Sequence, residues 1–307
     1  MLTSNKCGYK VVDLFAGCGG LSLGFENVGF SLVGAFENWH TAAECHRLNF
    51  NCPVFEKDLA QVDAIVPLIR DLSPDVIIGG PPCQDFSDAG KRVEAKRANL
   101  TCSFAQIVAK IRPKYFVMEN VGRAQYSKAY SETRIILKDA GYGLTELVLD
   151  ASRCGVPQKR KRFICFGKLD EKDNFALDDF NNRLSKKDMT IRDYFGDTLE
   201  LEYYYRHPRN YTRRAIYSID EPSATIRGVN RPVPKGYPGH PKDACPISPS
   251  IRSLTTEERA LVQTFPKDFK WIGNKTEKEQ MIGNAVPVKL AELVAKVVLD
   301  TISLESE

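Results

Sequence analysis

Short runs of consecutive apolar residues, each closed by glycine, proline or an acid, recur along the first half of the chain. Val11-Val12-Asp13-Leu14-Phe15 predicts a buried strand that ends in a glycine-rich turn, and residues 21–28 predict the helix after it. Residues 32–36 predict a second strand and 41–49 a second helix. Residues 75–78 predict a strand ending at Gly79-Gly80-Pro81-Pro82, and 115–118 one ending at Glu119-Asn120. The apolar stretches 144–149 and 163–166 complete the set. Strands apolar at successive positions bury both faces, and their alternation with helices predicts an open, mostly parallel α/β sheet.

Near Asp170 this pattern stops. Residues 170–250 are polar, rich in tyrosine and proline and nearly aperiodic, which predicts a second, smaller, loop-rich domain. Order returns with the capping-box-like start Thr255-Thr256-Glu257-Glu258 of a helix over 255–264. Leu290, Val294, Val298 and Ile302 recur at four-residue spacing on a final helix, expected to pack back on the first domain. The resulting plan is a first domain over 1–169, a second over 170–250, a connecting segment over 251–279 and a returning helix over 280–307.

Composition changes this picture at few points. A chain of 307 residues, 43% hydrophobic and 27% charged, fits one large domain or a large and a small one. No apolar run approaches the roughly 20 residues of a membrane span. The N-terminus, MLTSNKCGYK, lacks the apolar core of a signal peptide, so a cytoplasmic protein, or a nuclear one in a eukaryote, is expected. The nine cysteines form no CxxC pair, and His40, His46, His207 and His240 are scattered, so no metal site is expected. Net charge is only +4, but basic residues cluster at 153–168 and again from Arg206 to Lys235. A phosphate footprint and a solvated basic face both fit such clusters.

Four segments carry candidate chemistry. Asp13-Leu14-Phe15-Ala16-Gly17-Cys18-Gly19-Gly20 lies between the first strand and helix, where glycines let a ligand approach the backbone at a helix N-terminus. Glu37 ends the next strand, where an acid can bind ribose hydroxyls, and Asp58 lies near a third strand end. This reads as nucleoside binding or as a plain tight turn, and the spacing is not GxGxxG, which disfavours a dinucleotide. Gly79-Gly80-Pro81-Pro82-Cys83-Gln84 holds a cysteine rigidly at a strand's carboxyl end, with Lys91, Arg92, Lys96 and Arg97 following as cations that could lower a thiol pKa. A buried structural cysteine is the competing reading. Glu119 at a strand end can serve as acid or base if burial raises its pKa, or can be a simple helix cap. Gln158, Arg160 and Arg162 alternate along a predicted strand and so share one face, suited to a polar base and a phosphate.

Taken together and in this order, the segments resemble the cytosine-5 DNA methyltransferases, over nearly the whole chain. Residues 13–21 resemble the family's first motif, Glu37-Asn38-Trp39 the second and Asp58 the third. Gly80-Pro81-Pro82-Cys83-Gln84 with Phe86-Ser87 resembles the catalytic motif, Glu119-Asn120-Val121 the sixth and Gln158 to Arg162 the eighth. Residues 222–226 resemble the ninth and Gly283-Asn284-Ala285-Val286-Pro287 the tenth. Asp85 departs from the family, which has a small residue there.

The resemblance implies a Rossmann-like S-adenosylmethionine-dependent fold with a small target-recognition domain. It implies S-adenosylmethionine as cofactor, S-adenosylhomocysteine as product and double-stranded DNA as partner. Cys83 is then the nucleophile on a flipped cytosine, Glu119 the acid at N3, Arg162 the contact to O2 and Arg160 a support of the pocket. Asp13, Phe15, Ala16, Gly17, Cys18, Gly19, Gly20, Leu21, Glu37, Asn38, Trp39, Asp58, Pro81, Asn284 and Val286 are the implied cofactor residues. Gln84, Ser87, Lys91, Arg92, Arg206, Arg209, Arg213, Arg214, Arg227 and Arg231 are the implied DNA contacts. Lys91 and Arg92 are also candidate partners for Asp85.

A compact chain of this kind implies a monomeric bacterial or phage methyltransferase that protects DNA, with a cognate restriction endonuclease acting on the same sequence without direct contact. A tRNA-directed relative is expected to carry Cys-Phe-Thr, but here Cys245 precedes Pro246. An inactive DNA-binding homologue is expected to have lost the nucleophile or the acid, and both are present.

Overall fold

The computed structural model describes residues 7–82, 94–196, 198–208, 210 and 212–304, with the backbone alone over 94–99. Cys83, Gln84, Asp85, Ser87, Lys91, Arg92 and Arg209 lie outside the described residues. The chain divides into two compact units. The first holds Met1–Leu149, Lys161–Leu184 and Ala291–Glu307, and the second Asp150–Arg160 and Ser185–Leu290.

The first unit is built on a seven-stranded sheet. In chain order the elements are β1 (Lys10–Leu14), α1 (Gly20–Val28), β2 (Ser31–Phe36), α2 (His40–Asn49), β3 (Val54–Phe55), α3 (Val62–Leu72), β4 (Val76–Gly79), α4 (Glu94–Ile111), β5 (Tyr115–Val121), α5 (Lys128–Asp139) and β6 (Tyr142–Asp150). Then come β7 (Gln158–Lys159), β8 (Lys161–Leu169) and α6 (Leu177–Arg183). The sheet order is β3-β2-β1-β4-β5-β8-β6. The pairs from β3 to β5 are parallel, and β8 runs antiparallel to β5. The chain therefore winds outward from β1 in two directions, and the reversal lies between β1 and β4, where ligands of open α/β sheets bind.

Burial explains why these segments are strands. Val11, Val12 and Leu14, Val76 to Ile78 and Phe116 to Met118 are all fully buried, as expected of strands covered on both faces. The final helix, α10 (Val288–Ser303), buries Leu290, Val294, Val298 and Ile302 as its spacing predicts. Within the first unit it lies close against α1. A Cβ on Gly24 would sit 2.3 Å from the Ala291 Cβ, and the Asn27 amide donates to Glu292 at 2.8 Å.

The second unit contains β7, α7 (Ile191–Phe195), β9 (Tyr203–Tyr205), β10 (Ile216–Ser218), β11 (Ser223–Ala224), α8 (Thr256–Val262) and α9 (Lys275–Asn284). Its sheets are small: β9 with β10, and β7 parallel to β11. Tyr205, Ala215, Ile216, Tyr237 and Ile251 form a small apolar core there.

Several sequence expectations need adjusting. Residues 150–160, assigned to the first domain, and 251–290, assigned to the connecting segment and the start of the returning helix, belong to the second unit. Residues 170–184, assigned to the loop-rich domain, belong to the first unit, because Phe175 and Phe180 pack against Phe166 of β8 at 4.9 and 6.5 Å. The strand expected to carry Gln158, Arg160 and Arg162 together is interrupted at Arg160, between β7 and β8. No described helix is long and apolar enough to cross a membrane.

Candidate active site

Strand register lines up the candidate residues of the first unit. Leu14 pairs with Phe36 on one side and Gly79 on the other, and Gly79 with Met118. The next residues along each strand, Phe15, Glu37, Gly80 and Glu119, therefore form a row at the carboxyl edge.

The turn after β1 is shaped by backbone that favours glycine. Gly17 has φ 56° and Gly19 φ 99°, and Phe15 also adopts a left-handed φ of 60°. A Cβ on Gly17 would meet nothing within 4 Å, so this backbone faces open space, while Ala16, Cys18, Gly19, Gly20 and Leu21 are buried beneath it. The Gly17 and Trp39 N–H groups each donate to Glu37, both at 2.8 Å. One carboxyl thereby ties the turn to the start of α2. Each of its oxygens keeps a lone pair for a ribose hydroxyl. Phe15 and Trp39 are half-buried, Asn38 is exposed, and Asp58 is exposed three residues past β3. Open backbone, a half-buried acid and two part-exposed aromatics fit a nucleoside such as that of S-adenosylmethionine. Asp13 differs from the expectation in its direction: it is wholly buried, and its Oδ2 accepts a 2.6 Å bond from Ser22 at the start of α1.

Glu119 lies within β5, which runs on to Val121. Its Oε1 is 2.6 Å from Arg162 Nε, and both side chains are close to buried. The pair is diagonal across the β5–β8 ladder, since Arg162 lies opposite Val121. Burial lowers the Arg162 pKa from its ordinary value, and the Glu119 carboxylate opposes that shift. A Cβ on Gly80 would sit 3.0 Å from Glu119 Oε2, so glycine there leaves room for the carboxyl. The neighbouring Asn120 amide donates to the buried Pro81 carbonyl at 3.0 Å. β5 thus fixes the chain two residues before Cys83. Asn120 was read only as part of a motif; its bond across 39 residues has no local signature.

The remaining candidates lie in the second unit, engaged within it. Arg160 is 2% exposed and donates to the carbonyls of Ile226, Gly283 and Ala285 at 2.8, 2.8 and 3.0 Å. Gln158 bonds Gln263 at 2.7 Å and accepts from Ile226 N at 2.9 Å, and Gln263 donates to the Ile282 and Ala285 carbonyls. These side chains stitch 158–160, 223–226 and 282–285 together. Gln263 was missed by the sequence reading, since nothing local distinguishes a buried helix-end glutamine. Asn284 is exposed and accepts from Gln280 at 2.8 Å, and Val286 is buried.

Among the candidate DNA contacts, Arg206 donates to the Thr225 carbonyl at 2.9 Å and Arg227 to that of His207 at 2.5 Å. Arg214 chelates Glu221 and lies 4.2 Å from the Tyr217 ring centroid. Arg213 and Arg231 are exposed.

Comparison with known proteins agrees with this architecture. The sequence model of the family described as C-5 cytosine-specific DNA methylase matches residues 9–300. The Type II methyltransferase M.HgiDI of Herpetosiphon aurantiacus is 56% identical over 93% of this chain and 93% of its own length. The Type II methyltransferase M.HindV of Haemophilus influenzae is 55% identical over 95% of this chain and 96% of its own. Among solved structures, the S. pombe Dnmt2 methyltransferase superposes with a TM-score of 0.70 at 18% identity, covering 96% of this chain and 99% of that one. The Entamoeba histolytica methyltransferase EhMeth gives 0.70 at 19%, covering 96% and 98%. At these identities the two structures speak for the fold alone.

Proposed function

The chain belongs to the C-5 cytosine-specific DNA methylase family and is a DNA (cytosine-5) methyltransferase of restriction–modification type; from this premise we propose that Cys83, Glu119 and Arg162 carry the reaction. The observation that carries this reading is the seating of Glu119 between Gly80 and Arg162, beside the Pro81 carbonyl that Asn120 grips. The acid on β5 and the segment that follows β4 toward Cys83 lie side by side at the carboxyl edge of the sheet.

A cytosine inside a duplex hides its reacting edge, so the target base leaves the stack. The Cys83 thiolate adds to C6, and the electron pair of the C5–C6 double bond becomes available at C5. Glu119 gives a proton to N3, which takes up the charge the addition pushes into the ring. Arg162, already beside Glu119, holds O2. S-adenosylmethionine, when bound, supplies an electrophilic methyl group and leaves as S-adenosylhomocysteine. Loss of the C5 proton to a base, departure of the Cys83 thiolate and return of the N3 proton to Glu119 restore the neutral aromatic ring. Glu37 binds the ribose, Phe15 and Trp39 flank the adenine, and the open Gly17 backbone lies along the cofactor. Asp58 holds the adenine amine. Within the second unit Arg160 holds 226 and 283–285 in place.

The second unit supplies target recognition in this reading, from 185 onward. Acting on DNA, the enzyme works as a monomer in the cytoplasm, and a cognate endonuclease cuts the same sequence when it is unmethylated. Bisulfite sequencing of plasmid DNA incubated with the protein and S-adenosylmethionine tests the assignment, with Cys83→Ser in parallel. Protected cytosines in one short repeated context with the wild type, and none with the variant, are expected. Protection by the variant overturns the role of Cys83.

A further inference from the structure

Beneath the glycine turn lies a polar chain that the methyl-transfer mechanism does not use. Ser22, in the first turn of α1, donates to Asp13 Oδ2 at 2.6 Å, and its oxygen lies 3.1 Å from His46 Nε2 on α2. All three residues are fully buried. Asp13 Oδ1 and His46 Nδ1 have no hydrogen-bond partner among the described residues. The Asp13–Ser22 bond closes the turn like a clasp, linking the strand before it to the helix after it. His46 braces the clasp from below and stacks on Phe50 with ring centroids 4.2 Å apart. The turn rests on that pair: a Cβ on Gly19 would lie 2.2 Å from the Phe50 ring and 3.1 Å from His46 Cδ2.

We propose that Asp13, Ser22 and His46 are positioning residues that share one proton beneath the glycine turn and hold that turn in the shape that receives S-adenosylmethionine. The inference rests on the turn being the cofactor's seat, as proposed above.

The surroundings set where the proton goes. Burial pushes the Asp13 carboxyl up to about 7, and Glu37, at the end of β2, adds to the rise against the Ser22 bond. Burial, with Arg47 next to it on α2, pushes the His46 imidazole down to about 4. Burial raises the nearby Cys18 and Cys52 thiols above their ordinary value, so they stay protonated through this range. An unfolded chain between about pH 4 and 6.5 carries an ionised aspartate and a charged histidine. The folded chain carries a neutral aspartic acid and a neutral imidazole, so folding moves one proton from His46 to Asp13 with no net uptake.

Asp13 alone makes stability fall as pH rises from about 4 to about 7, because the native state holds its proton longer. His46 alone makes stability rise from about pH 4 to about 6.5, because the native state gives its proton up first. In the wild type the two slopes oppose each other.

The test unfolds the full-length protein in urea between pH 4.5 and 7.5 and measures S-adenosylmethionine binding by calorimetry at pH 7.5. Relative to the wild type, the midpoint of Asp13→Asn is expected to climb with pH, and that of His46→Gln to decline. Ser22→Ala and His46→Phe each break the clasp and are expected to bind the cofactor about tenfold more weakly. Ser22→Thr and His46→Gln keep a hydrogen-bonding group in place and are expected to stay within about threefold of the wild type. Should Ser22→Ala fail to fold, His46→Phe decides the affinity arm. Unfolding curves that track the wild type at every pH overturn the shared proton. Wild-type affinity in both clasp-breaking variants overturns the positioning role. A wild type that binds no S-adenosylmethionine overturns the cofactor seat, a separate failure that leaves the unfolding result standing.

Discussion

A carboxyl group that must give a proton to a ring nitrogen needs a fixed direction before it needs a particular pKa. Glu119 has that direction from Arg162 on β8 and from the space left by Gly80. Glu119→Gln keeps the shape and loses the transferable proton, so methyl transfer is expected to slow by about 10²–10⁴-fold. A tritiated-methyl assay on DNA measures this, and a rate within threefold of the wild type removes Glu119 from the role. Arg160 calls for a different readout. Alanine there strands the Ile226, Gly283 and Ala285 carbonyls, which lie 66, 123 and 125 residues away in the chain. The expected loss is about 3–5 kcal/mol of stability, read as a lower urea midpoint. The sequence displayed both residues as members of short motifs. It marked Glu119 as an acid at the end of an apolar run, but β5 continues through Glu119 and Asn120 to Val121, because its ladder with β8 extends beyond the apolar residues. Residue type and spacing alone did not separate Arg160 from Arg162, and only the family resemblance gave them different roles, because the difference lies in partners distant along the chain. Ser22 and His46 escaped for the same reason: each is an ordinary helical residue until the fold brings Asp13 to it.

At the scale of elements, the strands were legible where apolar residues ran together, since β4, β5 and the middle of β8 are buried on both faces. Helices were legible less evenly. α5 buries Tyr130, Thr133 and Leu137, and a threonine in the middle of its apolar stripe hides the period. α6 was lost in a polar stretch, because Phe180 is its one buried residue. Where strands meet closely, glycine records the fact. At Gly167 on β8, opposite Phe116 on β5, a Cβ would lie 1.9 Å from the Phe116 ring. Phe116 is itself fully buried and packs edge-on against Phe104 and Tyr142, so the ring has nowhere to retreat. Gly167→Ala is therefore expected to cost about 1–3 kcal/mol or more through overpacking. A thermal melt checks it, and an unchanged midpoint would show that β5 and β8 part more easily than their packing suggests. Because Glu119 and Arg162 sit on these two strands, the same variant is expected to lose activity beyond its loss of folded protein.

For the whole molecule, two kinds of order coexist. The first unit is specified by periodic burial, which a sequence shows. The second is held by long-range side-chain bonds, to backbone and to one another, among them the buried Arg259–Glu279 pair with Asn230 and Thr256 on the same carboxylate, which a sequence does not show. Its arginines look alike in the chain and differ in the fold. Arg206, Arg214 and Arg227 hold their own unit, whereas Arg213 and Arg231 are exposed. Arg231 and Arg227 together depress the His207 pKa beyond the effect of its burial, so this face concentrates positive charge where an anion would relieve it. A DNA phosphate is such an anion. A phosphate contact releases counterions and carries no sequence information, whereas a base contact discriminates. Arg231→Ala is accordingly expected to weaken cognate and non-cognate duplexes alike. It should also reduce the slope of log affinity against log salt by about 1. Fluorescence anisotropy across a salt series distinguishes the cases. A loss confined to the cognate duplex, with the slope kept, would make Arg231 a reader of bases. An unchanged affinity and slope would move the phosphate track off this face.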